Sequence, residues 1–243
     1  MKKFNILLIG LFCGITSLQA QFFGSTKING NGKISHETRN TKMYESIELI
    51  GSLDVELVKG IEGVIKVEAE ENLLEYIQTQ VSNRRLIIKV KKGYDVRPSL
   101  RKRIVVTVPF EHISGVSLVG SGNLESTDIL KTDQFTASLS GSGDINLNIR
   151  SKRIIAELAG SGDLKLLGNT DYFEASLDGS GDISAYQMST KTALVSLAGS
   201  GDIQLFVTEN LDASIAGSGD IDYKGNPLKV EKSIIGSGVI SKR

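Results

Sequence analysis

Apolar and polar positions alternate through the C-terminal half of the chain in a fixed relation to the tripeptide Gly-Ser-Gly. Apolar residues stand two and four positions before its first glycine and four positions after it, and only Lys232 breaks these rows. Such alternation predicts a strand with one buried face on each side of the tripeptide. The first glycines follow one another at steps of 21, 19, 19, 20, 18 and 19 residues, and they are Gly120, Gly141, Gly160, Gly179, Gly199, Gly217 and Gly236.

A unit of about 19 residues holds two strands and a corner but leaves no room for a helix. One such strand pair cannot bury its apolar face alone, so the units must stack, each strand pairing in parallel with its counterpart in the next unit. The predicted fold class is therefore all-β, a right-handed parallel β-helix or β-solenoid with coils of about 19 residues. The pattern leaves open whether the coil has two or three faces.

The N-terminal part, residues 21–112, is less regular, and we interpret it as earlier coils that form one continuous domain with the regular repeats of 113–243. Residues 44–60 resemble a degenerate repeat, because Ile47 and Leu49 precede Gly51 and an aspartate follows it. Alternation also predicts strands within 63–70, 84–92 and 101–110. The apolar residues of 71–81 would share one side of a short helix, and the charged segment 91–103 is expected to be an exposed loop.

Residues 1–20 have the features of a secretory signal peptide, with two lysines, an apolar run and a small residue at Ala20. The alternative is a lipoprotein signal, because Cys13, the only cysteine, lies in this run. Cleavage after Ala20 would leave 26 basic and 28 acidic residues and no thiol. This balance gives no indication of a nucleic-acid partner. We expect a protein secreted across the inner membrane, either to the periplasm, to the outer membrane or to the cell surface.

The Gly-Ser-Gly-Asp repeats follow the segments VEAEENLLEYIQTQV, LIIKVKKG and VVTVP in a set order. In this order the chain resembles the secreted bacterial family of auto-transporter adhesins with a head GIN domain, over about residues 33–239. The resemblance implies a β-helical protein associated with the cell envelope of a Gram-negative bacterium. It supplies no catalytic residues.

One aspartate per coil follows the glycine corner, and these residues are Asp144, Asp163, Asp182, Asp202 and Asp220. Stacked at a strand spacing of about 4.8 Å, neighbours would repel by about 0.9 kcal/mol each in bulk water. Two arrangements would offset this repulsion. In one, each carboxylate accepts backbone N–H bonds within its own corner; in the other, calcium ions lie between neighbouring carboxylates.

Other chemistry-bearing residues are few. His36 and His112 have no partner at the spacing of a metal site. The Gly-Ser-Gly-Asp corner lacks the Lys-Ser/Thr pair of a phosphate-binding loop, and no helix is expected after it. The sequence therefore predicts no catalytic residue and no cofactor. Tyr172, Tyr186 and Phe206 are candidate stacking surfaces for a glycan, with Tyr186 and Phe206 at matching positions seven residues after their glycines. The alternative is that these rings only pack at the edges of the coils.

The predicted function is a non-enzymatic, adhesin-like binding module of the cell envelope or surface. Its partner would be an envelope or extracellular protein or glycan. One alternative is an enzyme acting on envelope or extracellular polysaccharide, and another is a structural envelope protein without a small ligand. The sequence predicts no transmembrane segment in the mature chain, and it predicts that the open C-terminal end permits self-association.

Overall fold

The computed structural model describes residues 25–243, so the predicted signal peptide lies outside the described residues. One 3-10 helix, Glu71–Tyr76, interrupts an otherwise all-β fold. The strands are β1 Thr26–Asn29, β2 Ile34–Asn40, β3 Ser46–Gly51, β4 Asp54–Lys59, β5 Val64–Glu70, β6 Ile77–Ser82, β7 Arg85–Val90, β8 Tyr94–Arg97, β9 Val105–Phe110, β10 Gly115–Gly120, β11 Asn123–Gly141, β12 Asp144–Gly160, β13 Asp163–Gly179, β14 Asp182–Gly199, β15 Ile203–Gly217, β16 Ile221–Lys224, β17 Lys229–Gly236 and β18 Ile240–Lys242.

The long strands β11 to β15 each follow a whole coil, and each pairs in parallel with the next. The register matches equivalent repeat positions, so that Leu158 stands between Leu139 and Leu177. These apolar rows are almost completely buried and form the core along the axis. The predicted β-solenoid with a spacing of about 19 residues is confirmed, and it has about seven turns.

The glycine corner is explained by two separate requirements. Gly179, the first glycine of its corner, has φ of 140°, a conformation that side chains disfavour. Gly181, the second, has no such φ, but a Cβ there would lie 1.9 Å from the carbonyl oxygen of Gly162 in the preceding coil. The amides of Ser180 and Gly181 both donate to the carbonyl of Gly160, at 2.8 and 3.2 Å. Stacked corners approach so closely that only glycine fits.

A second corner lies about halfway along each regular coil. In β12 the alternation of buried and exposed residues is broken where Lys152 and Arg153 are both exposed. Ser151 is buried beside them, and its hydroxyl donates to the carbonyl of Arg153 at 2.8 Å. Thr170 makes the equivalent bond one coil later. Each regular coil therefore has two runs of inward-facing residues, joined by a glycine corner and a second corner. A buried hydroxyl caps this second corner in β12 and β13, whereas the buried hydroxyl of Thr190 at the equivalent position of β14 has no hydrogen-bond partner among residues 25–243.

The degenerate repeat predicted at 44–60 is confirmed by the sheet register. Gly51 of β3 pairs with Gly120 of β10, and Asp54 of β4 pairs with Asn123 of β11. Residues 60–114 are therefore an insertion between β4 and β10, at a place where an ordinary coil continues directly. Within this insertion β7 and β9 extend the two faces in parallel, whereas β6, β5 and β2 add antiparallel strands at the N-terminal end.

Two local predictions for this region are wrong. The helix expected over 71–81 is only the 3-10 helix, because the β-branched residues that follow it alternate and pair as β6 with β7. The loop expected over 91–103 contains β8, which pairs in parallel with β1 and buries Val96 against the core. In both cases pairing with a distant strand outweighs the local pattern.

Candidate binding surfaces

The carboxylates of the aspartate row form a continuous hydrogen-bonded ladder. Asp182 Oδ1 accepts the backbone N–H of Asp202 at 3.0 Å, and Asp202 Oδ1 accepts that of Asp220 at 2.9 Å. Asp220 Oδ1 in turn accepts the N–H of Val239 at 2.8 Å. The carboxylates accept backbone N–H bonds as expected, but the expectation that the donor lies in the same corner is wrong. The donor is the equivalent residue of the next coil. The row therefore ties each coil to the next.

The first regular coil has an asparagine instead of an aspartate in this row. Asn123 replaces aspartate in the first regular coil, and its Nδ2 donates to Asp54 Oδ1 at 2.8 Å. Asp54 also faces the guanidinium of Arg103 at 3.3 Å. A neutral amide thus occupies the row and contacts the preceding coil as a donor, while the Asp144 N–H of the next coil donates to the carbonyl of Gly122 at 3.1 Å.

The calcium alternative concerns the same five carboxylates. In residues 25–243 no three His, Cys, Asp or Glu side chains are grouped as a metal site would require. Each coil contributes one carboxylate, of which one oxygen is already hydrogen-bonded, whereas calcium takes about six to eight oxygen ligands. Calcium binding by the row remains a prediction.

The three aromatic candidates do not form a common surface. The matching positions inferred for Tyr186 and Phe206 are wrong, because β14 bulges there and Phe206 pairs with Ser189. The Nζ atom of Lys224 lies 4.1 Å from the centre of the Tyr186 ring, and the Arg153 guanidinium lies 4.6 Å from that of Tyr172. These cations cover one face of each tyrosine, which favours edge packing over glycan stacking.

A continuous groove lies where the irregular N-terminal part meets the regular coils, and we call it the junction groove. It consists of two neighbouring cavities of about 400 and 440 Å³ that share His112 and Lys131. The first is also lined by Lys59, Phe110, Glu111, Asp128 and Ile129, and the second by Glu45, Ile113, Ser114, Thr132 and Asp133.

The groove exists because the wall of the solenoid is interrupted at this point. On its N-terminal side β11 pairs with β4 as far as Ser126 and with β10 from Thr136 onward. Between them, no strand of residues 25–243 pairs with 127–135 on that side, although residues 129–135 pair with β12 on the other. The open segment faces the link from β9 to β10, residues 111–114. The groove therefore occupies the place of a missing strand.

Buried and backbone groups fix the floor of this groove. Glu62 is only 7% exposed, and its carboxylate accepts the backbone N–H groups of Glu111 and His112 at 2.7 and 2.8 Å. Burial raises the pKa of Glu62, but these hydrogen bonds outweigh burial and hold the pKa below its ordinary value. The Ser114 amide donates to the carbonyl of Glu45 at 2.8 Å. The floor is therefore held by hydrogen bonds between residues of three different segments of the chain.

The C-terminal end of the solenoid is the second place where the pattern changes. Ile234 occupies the apolar row but is 45% exposed, and Leu228 and Ile235 are exposed beside it. Lys232 replaces the small apolar residue of the neighbouring row, and its Nζ donates to the carbonyl of Ile240 at 2.8 Å. This inward-pointing charge partly closes the end of the core, a feature that discourages edge-to-edge pairing.

Reasoning from the sequence located the aspartate row and the aromatic residues but missed the junction groove. The available signal was the spacing of the repeats: Asn123 pairs with Asp54 across 69 residues, whereas Asp182 and Asp202 are 20 residues apart. An insertion of this length in one coil must interrupt the wall beside it. That signal locates the break but not the side chains around it.

The fold and these surfaces define a β-solenoid whose regular coils are tied together by a carboxylate ladder. A family model described as "Putative auto-transporter adhesin, head GIN domain" matches residues 43–227, and the chain belongs to this family. A search of curated proteins found no match. No helix in residues 25–243 is long and apolar enough to cross a membrane.

Several solved structures share this fold. The crystal structure of a putative adhesin from Bacteroides fragilis NCTC 9343 has 23% identity and a TM-score of 0.80, over 89% of this chain and 100% of that one. That of a putative lipid binding protein from Parabacteroides distasonis ATCC 8503 has 28% identity and a TM-score of 0.75, over 90% and 100%. A putative adhesin from Parabacteroides merdae ATCC 43184 has 22% identity and a TM-score of 0.66, over 89% and 99%.

Proposed function

We propose that this protein is a non-enzymatic, adhesin-like binding module of the bacterial cell envelope or surface. The observation that carries the proposal is the carboxylate ladder: the most regular acidic feature of the molecule serves to join coils. Asp163 Oδ1 accepts the Asp182 N–H at 3.3 Å, and this bond repeats along the row. Carboxylates used in this way build a rigid rod with a long surface, which suits binding.

The alternative of a polysaccharide-cleaving enzyme requires acids or bases that converge in one cleft. Instead, the row spaces its carboxylates one coil apart along the axis. His36 faces Glu68 at 3.5 Å at the exposed N-terminal end, whereas His112 lies in the junction groove. The membership in an adhesin-named family supports binding over catalysis.

The name of the Parabacteroides distasonis relative raises a lipid ligand as another possibility for this chain. An acyl chain needs an apolar cavity of its own length. Here the inward rows, such as Leu139, Leu158 and Leu177, are at most 2% exposed and pack against one another. The filled core favours a ligand on the outer surface of the solenoid.

The test begins with the location of the full-length chain in its own cells. Protease treatment of intact cells should remove the protein if it reaches the surface, with a periplasmic marker protein as the protected control. Purified protein coupled to fluorescent beads should then bind envelope or extracellular material in a saturable manner. Reproducible cleavage of a polysaccharide that is lost on one acidic substitution would overturn the non-enzymatic proposal. No saturable binding in pull-downs and glycan arrays would favour a structural role.

A further inference from the structure

We propose that residues 97–103, here called the basic turn, dock on the surface of a lipid bilayer that contains anionic phospholipids and insert Leu100 between the headgroups. The inference rests on the proposed binding role and adds to it a site and the chemistry of the partner. Three observations carry it: an exposed leucine at the tip of the turn, an anchor that holds the turn and a surplus of positive charge around it.

The first observation is the position of Leu100. It is 90% exposed, and Pro98 is exposed beside it. The amide of Lys102 donates to the carbonyl of Ser99 at 2.9 Å, which closes a turn with Leu100 and Arg101 at its two central positions. Leu100 therefore stands at the tip of the turn, where it can enter a bilayer without a change in the fold.

The second observation is the anchor of the turn. Glu70 is buried, and its carboxylate accepts the amide of Ser99 at 2.7 Å and the hydroxyl of Ser99 at 2.6 Å. The same carboxylate accepts the amide of Gly32, and the Gly30 amide donates to the carbonyl of Arg97 at 2.8 Å. These bonds connect the turn to two other segments of the chain, so docking has less freedom left to restrict.

The third observation is the positive charge next to Leu100. The side chains of Arg101 and Lys102 are exposed and form no ion pair within residues 25–243. The charge of Glu70 attracts Lys102, but that carboxylate is buried and already accepts three hydrogen bonds. Both cations can therefore meet anionic headgroups beside the inserted leucine.

Positive charge also dominates the surface around the basic turn. Strand β1 pairs with β8 and places residues 25–33 beside 91–103. Together these two segments carry eight basic residues, which are Lys27, Lys33, Lys91, Lys92, Arg97, Arg101, Lys102 and Arg103. Five acids pair with these segments or adjoin them, and they are Asp54, Glu70, Glu71, Glu75 and Asp95. Even with Glu70 counted, the surface keeps a positive surplus that attracts anionic lipid.

The surplus is confined to one part of the chain. Residues 25–112 contain 15 basic and 12 acidic residues, whereas 113–243 contain 11 basic and 16 acidic ones. An anionic surface therefore attracts the N-terminal part and repels the regular coils. Leu228 lies in the acidic part and is 91% exposed, but the neighbouring Lys229 pairs with Glu231 at 2.6 Å. A single exposed leucine is ordinary on a soluble protein, and the cations around Leu100 distinguish it from Leu228.

The combination of an apolar tip and cations fits a bilayer better than another anionic partner. An acidic polysaccharide would satisfy the cations but would offer Leu100 no apolar environment. A bilayer does both, because its headgroups meet Arg101 and Lys102 while the boundary of the acyl chains takes up the leucine.

The direct test is co-sedimentation of the purified protein with phosphatidylcholine vesicles, with and without phosphatidylglycerol. Saturable binding is expected only with phosphatidylglycerol, and it should weaken as salt is added. Leu100→Ser should weaken it about tenfold, since burial of a leucine side chain contributes at least about this factor. The matched control Leu228→Ser removes an equally exposed leucine and should leave the affinity unchanged.

A second pair of variants tests the charge. Arg101→Asn combined with Lys102→Gln removes two cations, and asparagine tolerates the φ of 63° at position 101. Vesicle binding should weaken at least about tenfold, since each cation near an anionic membrane contributes about a factor of five. The control Lys131→Gln combined with Lys165→Gln removes two exposed lysines from the regular coils and should change nothing. Far-UV circular dichroism and thermal melts confirm that each variant folds.

Tryptophan fluorescence shows whether position 100 itself enters the bilayer. The chain has no tryptophan, so Leu100→Trp introduces a single reporter. Its emission should shift to shorter wavelength on phosphatidylglycerol vesicles and be quenched by brominated acyl chains, whereas Leu228→Trp should show neither effect. No vesicle binding, unchanged binding of Leu100→Ser or an unshifted Leu100→Trp would each overturn the proposal.

The bead assay on envelope material distinguishes this failure from failure of the general function. If the beads bind and Leu100→Ser changes nothing, the binding role stands and the basic turn is not its site. If neither beads nor vesicles bind, the proposed function fails together with the inference.

Discussion

The substitution Asp182→Asn tests whether the aspartate row is held by hydrogen bonds alone or by a bound cation. Its two neighbours lie one strand spacing away, so each repels Asp182 by about 0.9 kcal/mol in bulk water. At 0.15 M salt, screening over a Debye length of about 8 Å reduces the sum for both neighbours to about 1 kcal/mol. The asparagine Oδ1 can still accept the Asp202 N–H, because the amide has the shape of the carboxylate and its oxygen is also an acceptor.

We therefore expect Asp182→Asn to stabilise the protein by about 1 kcal/mol, or roughly 2–4 °C in Tm for a chain of this size. Asp182→Ala relieves the same repulsion but loses the bond to Asp202, which contributes about 1 kcal/mol. The two effects cancel, so its Tm should stay near that of the wild type. The difference between asparagine and wild type should shrink as salt is added, because salt screens the repulsion that the substitution removes.

The assay is thermal unfolding followed by circular dichroism at low and high salt, with and without millimolar calcium and with a chelator. If Asp182→Asn melts several degrees below the wild type, and the chelator lowers only the wild type, the carboxylate charge holds a cation. That result would refute the ladder reasoning. No effect of calcium together with the predicted order of Tm values would support it.

Three other substitutions test the packing and one buried charge. Gly181→Ala should cost about 3 kcal/mol or more, because the new Cβ would lie 1.9 Å from the Gly162 oxygen, and a Tm unchanged within error would contradict this. Leu177→Asp places a charge where the side chain is 1% exposed and should abolish soluble folded protein, as judged by yield and circular dichroism. Glu70→Gln should lower stability at pH 7 by about 1–3 kcal/mol, since the 1% exposed carboxylate accepts the backbone and hydroxyl groups of Ser99 at 2.7 and 2.6 Å. Burial disfavours the ionised form of Glu70, but these hydrogen bonds outweigh burial and lower the pKa of Glu70. The stabilisation by Glu70 is therefore complete above the pKa of the unfolded chain, near 4.5, and is lost as the pH falls below that value. Urea unfolding from pH 3 to 7 should show the Glu70 variant and the wild type converging in acid, and a constant difference would contradict the assignment.

The regular half of the fold could be predicted from the sequence because one physical constraint repeats in every coil. A Cβ at the second glycine of a corner would overlap a carbonyl oxygen of the preceding coil; at Gly181, for example, it would overlap that of Gly162. Only one register places glycine on glycine, and that register also aligns the apolar rows. The Gly-Ser-Gly spacing therefore determined the strand pairing as well as the fold class.

The N-terminal part could not be predicted in the same detail, because its strands are specified by distant partners. The segment after the 3-10 helix forms β6 because it pairs with β7, and the charged segment at 94–97 forms β8 because it pairs with β1. The antiparallel pairing of β2 with β5 likewise cannot be predicted from a sequence repeat, because neither strand belongs to one. Local patterns give the strand tendency of such segments but not their neighbours.

The same distinction bears on where a specific ligand can bind. A perfect repeat offers the same side chains once per coil, so its rows are suited to joining coils, as the bond between Asp182 and Asp202 shows. A chemically distinct site requires a break in the repeat that brings together residues from different parts of the chain. The insertion after β4 does this, because it places Lys59 and His112 opposite Lys131 beside an unpaired strand edge. Specific recognition is therefore expected where the repeat is interrupted, and substitutions on the regular faces should affect stability more than binding.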